Sequence, residues 1–239
     1  MARSVVLSLF DTTGLMLVPW ALSGFECHAF DIQNDDTVDA NGISKHKKDL
    51  FQSTIMEELL REFSEKRVVA VFAFPPCTDL SMAGARWWRG KAEINPLFQV
   101  EAANRIVDVR NWCENVLRDK PNAIYIIENP KTSKLNSLWR RHDHTFSPHE
   151  YGGYLTDSEK VHPIWPGKIP DGDAYSKPTG LWTRSNFVLP PKKSAEYNRV
   201  KVGNRYHSPI MCGYSTANIR SSTPRGFARA IFTTYAAAQ

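Results

Sequence analysis

In this 239-residue sequence a cysteine follows directly on two prolines, Pro75-Pro76-Cys77, at the end of the apolar run 68–74. The prolines fix φ and remove two backbone donors, so Cys77 sits on a stiff loop at a strand end rather than in a core, where most unpaired cysteines serve as small hydrophobes. A thiol in that position is available as a nucleophile. Glu128 closes the next apolar run, 123–127, in Ile126-Ile127-Glu128-Asn129-Pro130, and an open sheet would set its carboxylate beside Cys77. Two more acids stand in the same relation to apolar runs: Asp11 after residues 4–10 and Asp31 after residues 25–30. Open α/β sheets bind ligands outside the carboxyl ends of their strands, so all four polar groups fall where such a sheet would do chemistry.

The elements that must position them follow from periodicity. Residues 4–10 read as a strand, 11–14 as a tight turn and 15–22 as a helix; 25–30 is a second strand, and 34–48 a loop or irregular edge. Phe51, Ile55, Leu59, Leu60 and Phe63 recur at helical spacing, which predicts an amphipathic helix over 49–64. The continuous apolar runs 68–74 and 123–127 suit buried parallel strands, with a helix between them carrying Ala102, Ile106, Val109, Cys113 and Val116 on one face. Alternation of this kind implies an α/β fold with a parallel-rich, Rossmann-like sheet covered on both faces. From Arg140 to Tyr206 the pattern gives way to Gly, Pro, His, aromatic and basic residues, which predicts a loop-rich insertion. A final helix follows Thr223, read as its cap with Pro224 at the first position, and carries Phe227, Ala228, Ile231, Phe232 and Tyr235 as an apolar stripe.

The sequence therefore predicts a core of residues 1–140 and 207–239, with 141–206 as a small nucleic-acid-binding insertion. Charge supports that division. Residues 1–139 hold 16 Lys and Arg against 18 Asp and Glu, and residues 140–239 hold 14 against 7, so the basic surplus lies in the second part. A basic segment beside a neutral core is the footprint of a polyanion partner. Within 140–206, Tyr151, Tyr154, Trp165, Tyr175 and Trp182 are interleaved with the cations and are expected to offer flat faces to a strand. Arg86-Trp87-Trp88-Arg89 mixes cations and aromatics in the same way beside the Pro-Pro-Cys loop. The cysteines Cys27, Cys77, Cys113 and Cys212 show no C-x-x-C spacing, which argues against a disulfide framework and a cysteine zinc knuckle. His142, Asp143, His144 and His149, with His162 nearby, have spacing that could ligate zinc, but without a cysteine the expectation is no metal. No run of 18 apolar residues occurs, so no membrane span is expected, and the chain reads as cytoplasmic.

Taken together, these segments resemble the cytosine-C5 DNA methyltransferase family, in a compact form like those of bacteriophages and prophages. The resemblance covers residues 4–31, 68–88, 124–130 and, more faintly, 221–235. It implies S-adenosyl-L-methionine as cofactor, held by Phe10, Asp11, Thr12, Thr13 and Gly14, by Asp31 on the ribose hydroxyls, and by Ile32, Pro75 and Ser221. Thr12 stands where the family's loop has its first glycine. The resemblance makes Cys77 the covalent nucleophile and Glu128 the carboxyl that protonates the base; no Gln-x-Arg-x-Arg segment is present, and Lys177 is the nearest cation in its place. Ser81, Arg86, Trp87, Lys192 and Lys193 are then candidate nucleic-acid contacts. The implied partner is DNA, as a duplex with a flipped cytosine or as a single strand. The residues flanking Pro75-Pro76 are Phe74 and Cys77, which fits carbon methylation and not the Asp/Asn/Ser-Pro-Pro-aromatic loop of amino-methyltransferases. A second reading, motivated by Thr12 and the missing arginines, is a weak or inactive methyltransferase-fold protein that binds nucleic acid or a host protein.

Overall fold

The computed structural model describes residues 3–196, 200–202, 205–207 and 217–238. Cys212 and the other residues of 208–216 lie outside the described residues. The chain forms two compact units: residues 1–145 with 179–187, and residues 146–178 with 188–238.

The first unit is built on β1 (Val5–Leu9), β2 (Glu26–Asp31), β3 (Thr37–Val38), β4 (Ser44–Lys47), β5 (Val68–Ala73), β6 (Ile124–Pro130), β7 (His144–Phe146) and β8 (Thr179–Thr183), in the order β3-β4-β2-β1-β5-β6-β8-β7. The stretch β4-β2-β1-β5-β6 is parallel throughout. Strand order runs outward from β1 in both directions, so the switch point lies between β1 and β5, and the architecture is Rossmann-like. β1 and β5 are buried along their whole lengths, as strands covered on both faces must be. One face carries Leu7, Leu9, Val71, Ala73, Tyr125 and Ile127 and packs on α2 (Ser53–Phe63) and α4 (Phe98–Val116) through Leu59, Phe63, Ala103, Ile106 and Val109.

Several expectations are corrected. The segment 15–22 gives only the single turn α1 (Val18–Ala21), whose Pro19 and following Ser23-Gly24 leave no room for more. Residues 34–48 contribute two sheet strands, β3 and β4. β6 continues through Glu128 and Asn129 to Pro130, because β8 pairs antiparallel with it there, Glu128 opposite Leu181. That pairing brings residues 179–183, from the segment read as an insertion, into the main sheet, while the last long helix groups with the second unit. A further helix, α3 (Ala85–Ile94), lies where no periodicity announced one, and α5 (Leu135–Leu138) follows β6.

The second unit is made of short turns, the strands β9 (Val200–Val202) and β10 (Arg205–His207), and the helices α6 (Ala217–Ser221) and α7 (Arg225–Tyr235). Reciprocal capping boxes close two of its turns, Ser147 with Glu150 and Thr156 with Glu159. Phe146 stacks on Phe227 at 3.9 Å between ring centroids. Thr223 does not cap α7. Pro224 is the N-cap residue, and the carboxylate of Asp173 accepts the Gly226 N–H at 2.8 Å. Three of the five interleaved aromatics are not open faces either. Tyr151 and Tyr175 are buried, with the Tyr151 hydroxyl donating to the Pro190 carbonyl, and Trp182 is buried in the first unit with its indole N–H on the Arg140 carbonyl. No helix among the described residues is long and apolar enough to cross a membrane.

Burial pushes the Asp173 carboxyl up to about 6, from an ordinary value of 3.8. The folded chain then holds this proton more tightly than the unfolded chain. The group's contribution to stability is complete below about pH 4 and is lost as pH rises to about 6. Asp173→Asn keeps an oxygen for the Gly226 N–H and cannot ionise. Its stability relative to wild type should rise by roughly 2–3 kcal/mol between pH 4 and pH 7. Urea denaturation at the two pH values measures this; a pH-independent difference would mean that Asp173 titrates normally.

Candidate active site at the strand ends

At the end of β1 the chain turns sharply. Phe10 has φ 57°, a left-handed conformation that costs a non-glycine residue about 1–3 kcal/mol, and Gly14 has φ 70°. Asp11 holds the turn together. It is 4% exposed, and its carboxylate accepts from the Ser8 hydroxyl (2.7 Å), the Thr13 N–H (2.9 Å) and hydroxyl (3.1 Å), and the Gly14 N–H (2.8 Å). From outside the turn, Lys45 Nζ donates to the Thr12 carbonyl (2.9 Å), and the Asn34 amide to the Asp11 carbonyl (3.2 Å). Phe10 packs on Phe51 with ring centroids 5.0 Å apart. The Asp11 carboxylate is thus a clamp on the loop, with its lone pairs directed to the loop's own donors.

Asp31 ends β2. One oxygen accepts the Gln33 N–H at 2.8 Å, and the carboxyl titrates above its ordinary range, first because of burial and further because of the nearby Asp11 charge. Beside it Ile32 is 57% exposed, an apolar side chain left open next to a buried acid.

The Pro-Pro-Cys loop beyond β5 is tied at almost every residue. Asn129, fully buried on β6, donates to the Pro75 carbonyl (3.4 Å), the Trp88 indole to the Thr78 carbonyl (3.2 Å), Gln99 to the Asp79 carbonyl (2.9 Å), and the Lys134 N–H to the Leu80 carbonyl (2.7 Å). Lys91 pairs with the Asp79 carboxylate. Gly84 lies so close beneath that a Cβ there would stand 1.9 Å from the Thr78 carbonyl oxygen. Cys77 is half-buried and unbridged at the head of this loop, whereas Cys27 and Cys113 are buried in the core with thiols pushed upward by burial. Ala73 of β5 lies opposite Ile127 of β6, so the half-buried Glu128 emerges alongside the start of the loop.

Phe10, Asp11, Thr12, Thr13, Gly14, Asp31, Ile32, Pro75, Cys77 and Glu128 therefore all lie at the ends of β1, β2, β5 and β6. Ser81 is placed differently from a surface contact: it is 2% exposed, and its hydroxyl is buried without a hydrogen-bond partner among the described residues, as is the Asn129 carboxamide oxygen. Arg86 and Trp87 are exposed on α3. Lys177 and Ser221 belong to the second unit, with the Ser221 hydroxyl on the Asn218 carbonyl. So do Lys192, paired with Glu150 at 2.6 Å, and Lys193, whose ammonium lies 4.4 Å from the Tyr154 ring centre. Among the described residues no three His, Cys, Asp or Glu side chains group as a metal site. His142 bonds Asn136, and His162 is buried with its pKa lowered to about 4 by desolvation. Sequence reasoning missed Asn34, Lys45 and Gln99, which hold the two loops from distant segments; no local pattern marks them.

No protein-family model and no curated protein matches the sequence. Among solved structures, the chain is similar to a prophage-encoded protein of E. coli, provisionally assigned as a DNA modification methyltransferase. Identity is 11%, the match covers 81% of this chain and 52% of that one, and the TM-score is 0.40. It is also similar to MycE, a methyltransferase of the mycinamycin biosynthetic pathway solved with Mg and SAH. There identity is 14%, the coverage 76% and 41%, and the TM-score 0.32. The chain spans about half the length of the first and less of the second.

Proposed function

We propose that this chain transfers a methyl group from S-adenosyl-L-methionine to carbon 5 of cytosine in DNA, through a covalent bond from Cys77. The observation that carries the reading is the placement of Cys77, on a rigidly tied loop after β5, and of Glu128, on the neighbouring strand β6, in the same sheet as the clamped β1 turn and Asp31. The residues fit the cofactor. Asp31 is a buried carboxyl held above its ordinary pKa, and hydroxyl donors such as a ribose diol would supply hydrogen bonds there. The exposed Ile32 offers an apolar surface for a purine. When bound, the cofactor supplies an electrophilic methyl group.

The chain's own residues do the rest. The Cys77 sulfur adds to carbon 6, which turns carbon 5 into an enamine carbon able to accept the methyl group. Negative charge moves toward N3, where Glu128 places a proton. Loss of the carbon 5 proton to solvent, expulsion of the Cys77 thiolate and return of the N3 proton to Glu128 then restore the ring and the enzyme. The rigid loop contributes by holding the sulfur in position before the base arrives.

Mass spectrometry of nucleosides from DNA of cells expressing the protein tests the reading, with 5-methylcytosine as the expected product. Unmodified cytosine together with retained DNA binding would leave the second reading, a binding protein on a methyltransferase-like fold. Asp31→Ala should weaken cofactor binding by about 1–3 kcal/mol, the cost of leaving a buried donor unpaired. Calorimetry showing undiminished affinity would place the ribose elsewhere.

A further inference from the structure

We propose that the nucleic acid this site takes is unpaired, and that Trp87, Arg86, Lys131 and Lys134 hold it as a stacking platform with a cationic rim. The inference rests on the reading of Cys77 and Glu128 as a site acting on a nucleobase. Trp88 is bonded to the Cys77 loop through the Thr78 carbonyl at 3.2 Å, and Trp87 precedes it on α3. Trp87 is nevertheless 55% exposed, an unusual state for the largest apolar side chain. The Arg86 guanidinium lies 4.7 Å from its ring centre. A cation on one face leaves the other face open.

The cations near this ring fall into two groups. Arg89 and Lys91 are paired with Glu93 and Asp79. Arg86, Lys131 and Lys134 are exposed and have no carboxylate partner among the described residues. Lys131 and Lys134 follow Glu128 directly on the chain, and the Lys134 backbone is bonded to Leu80 of the same loop, with its ammonium 5.8 Å from the Trp88 ring centre. Three exposed cations without a carboxylate partner and one exposed indole thus lie on α3 and in the segment after β6, both of which are bonded to the Cys77 loop.

An aromatic face flanked by cations fits a nucleotide strand: bases stack on the ring, and phosphates meet the ammonium and guanidinium groups. In a duplex the base next to the target is already stacked on its neighbours and offers no free face. An open tryptophan serves a base outside such a stack, and a single strand presents its bases in that state without the cost of unpairing.

The experiment is fluorescence anisotropy with a labelled, cytosine-containing DNA oligonucleotide, single-stranded and as its duplex, without cofactor, across a salt series. The single strand should bind at least about 10-fold more tightly. Trp87→Ala should lose roughly 5- to 100-fold in single-strand affinity, and Trp87→Phe should retain most of it. The double change Lys131→Gln, Lys134→Gln should lower the log-log salt slope by about 1.4, two phosphates at about 0.7 each. Circular dichroism of each variant separates lost contact from lost fold. Equal binding of duplex and single strand, or a folded Trp87→Ala variant with unchanged affinity, overturns the proposal. Because binding is read without methyl transfer, a Trp87-dependent single-strand preference in a protein that makes no 5-methylcytosine would uphold this surface and remove only the catalytic reading. Methylation of duplex DNA that is indifferent to Trp87 would do the reverse.

Discussion

Cys77→Ser should reduce methyl transfer by at least about 10³-fold, the scale lost when a covalent route is closed, while affinity for S-adenosyl-L-methionine stays within a few-fold. A hydroxyl is a far weaker nucleophile than a thiolate toward carbon 6, yet it is nearly the same size. The loop around it is tied by Asn129, Trp88, Gln99 and the Lys134 backbone, none of which touches the sulfur, so the substitution leaves the scaffold in place. Turnover is read by nucleoside mass spectrometry and cofactor affinity by calorimetry. A substrate carrying 5-fluorocytosine has fluorine where the carbon 5 proton would be, cannot complete the elimination that releases the enzyme, and should trap the wild-type protein as a covalent adduct; the serine variant should form none. Full activity in the variant would end the covalent mechanism, and unchanged trapping would move the nucleophile away from residue 77.

Asp11→Ala should cost about 3–5 kcal/mol of stability, more than the deletion of a single hydrogen bond, because one buried carboxylate satisfies four donors. Two of those donors are backbone N–H groups with no alternative partner once the turn closes, and the left-handed Phe10 directly precedes them. Asp11→Asn keeps one oxygen for the Thr13 and Gly14 N–H groups and should lose only about 1–2 kcal/mol. Urea denaturation with an unchanged slope measures both. An alanine variant within about 1 kcal/mol of wild type would show that the turn holds its shape by other means.

These two residues mark how far the sequence could be read. The positions of Cys77 and Glu128 in the sheet were legible because each follows a continuous apolar run, and a parallel sheet aligns such runs. Asp11 could be placed in the turn after β1, but not the bonds it makes there: its carboxylate accepts from Ser8, Thr13 and Gly14. A signal was present, since an aspartate followed by Thr-Thr-Gly is the pattern of a side chain that bonds the backbone two and three residues on. α3 stayed hidden for a different reason. None of its residues is fully buried, so no apolar stripe imposes the helical period that sequence reading depends on. β8 was lost among glycines and prolines because it is only five residues long and pairs with β6, some fifty residues away in sequence. The cap of α7 was misplaced on Thr223 since the real acceptor, Asp173, reaches it from a distant turn. The buried tyrosines of 146–178 show the limit of composition: aromatics among cations can be a small core as readily as a binding face.

Gly84 carries a consequence for how copies of this chain would diverge. With the Thr78 carbonyl where a Cβ would have to go, any side chain at 84 pushes the reactive loop out of its seat, whatever the loop is used for. In the proposed mechanism Cys77 serves turnover alone. In a lineage that gave up methylation and kept binding, the cysteine would drift first and the glycine would persist, since it answers to shape and not to chemistry. Natural variants that retain glycine at 84 with a residue other than cysteine at 77 would therefore mark the branch on which the protein had become a binder.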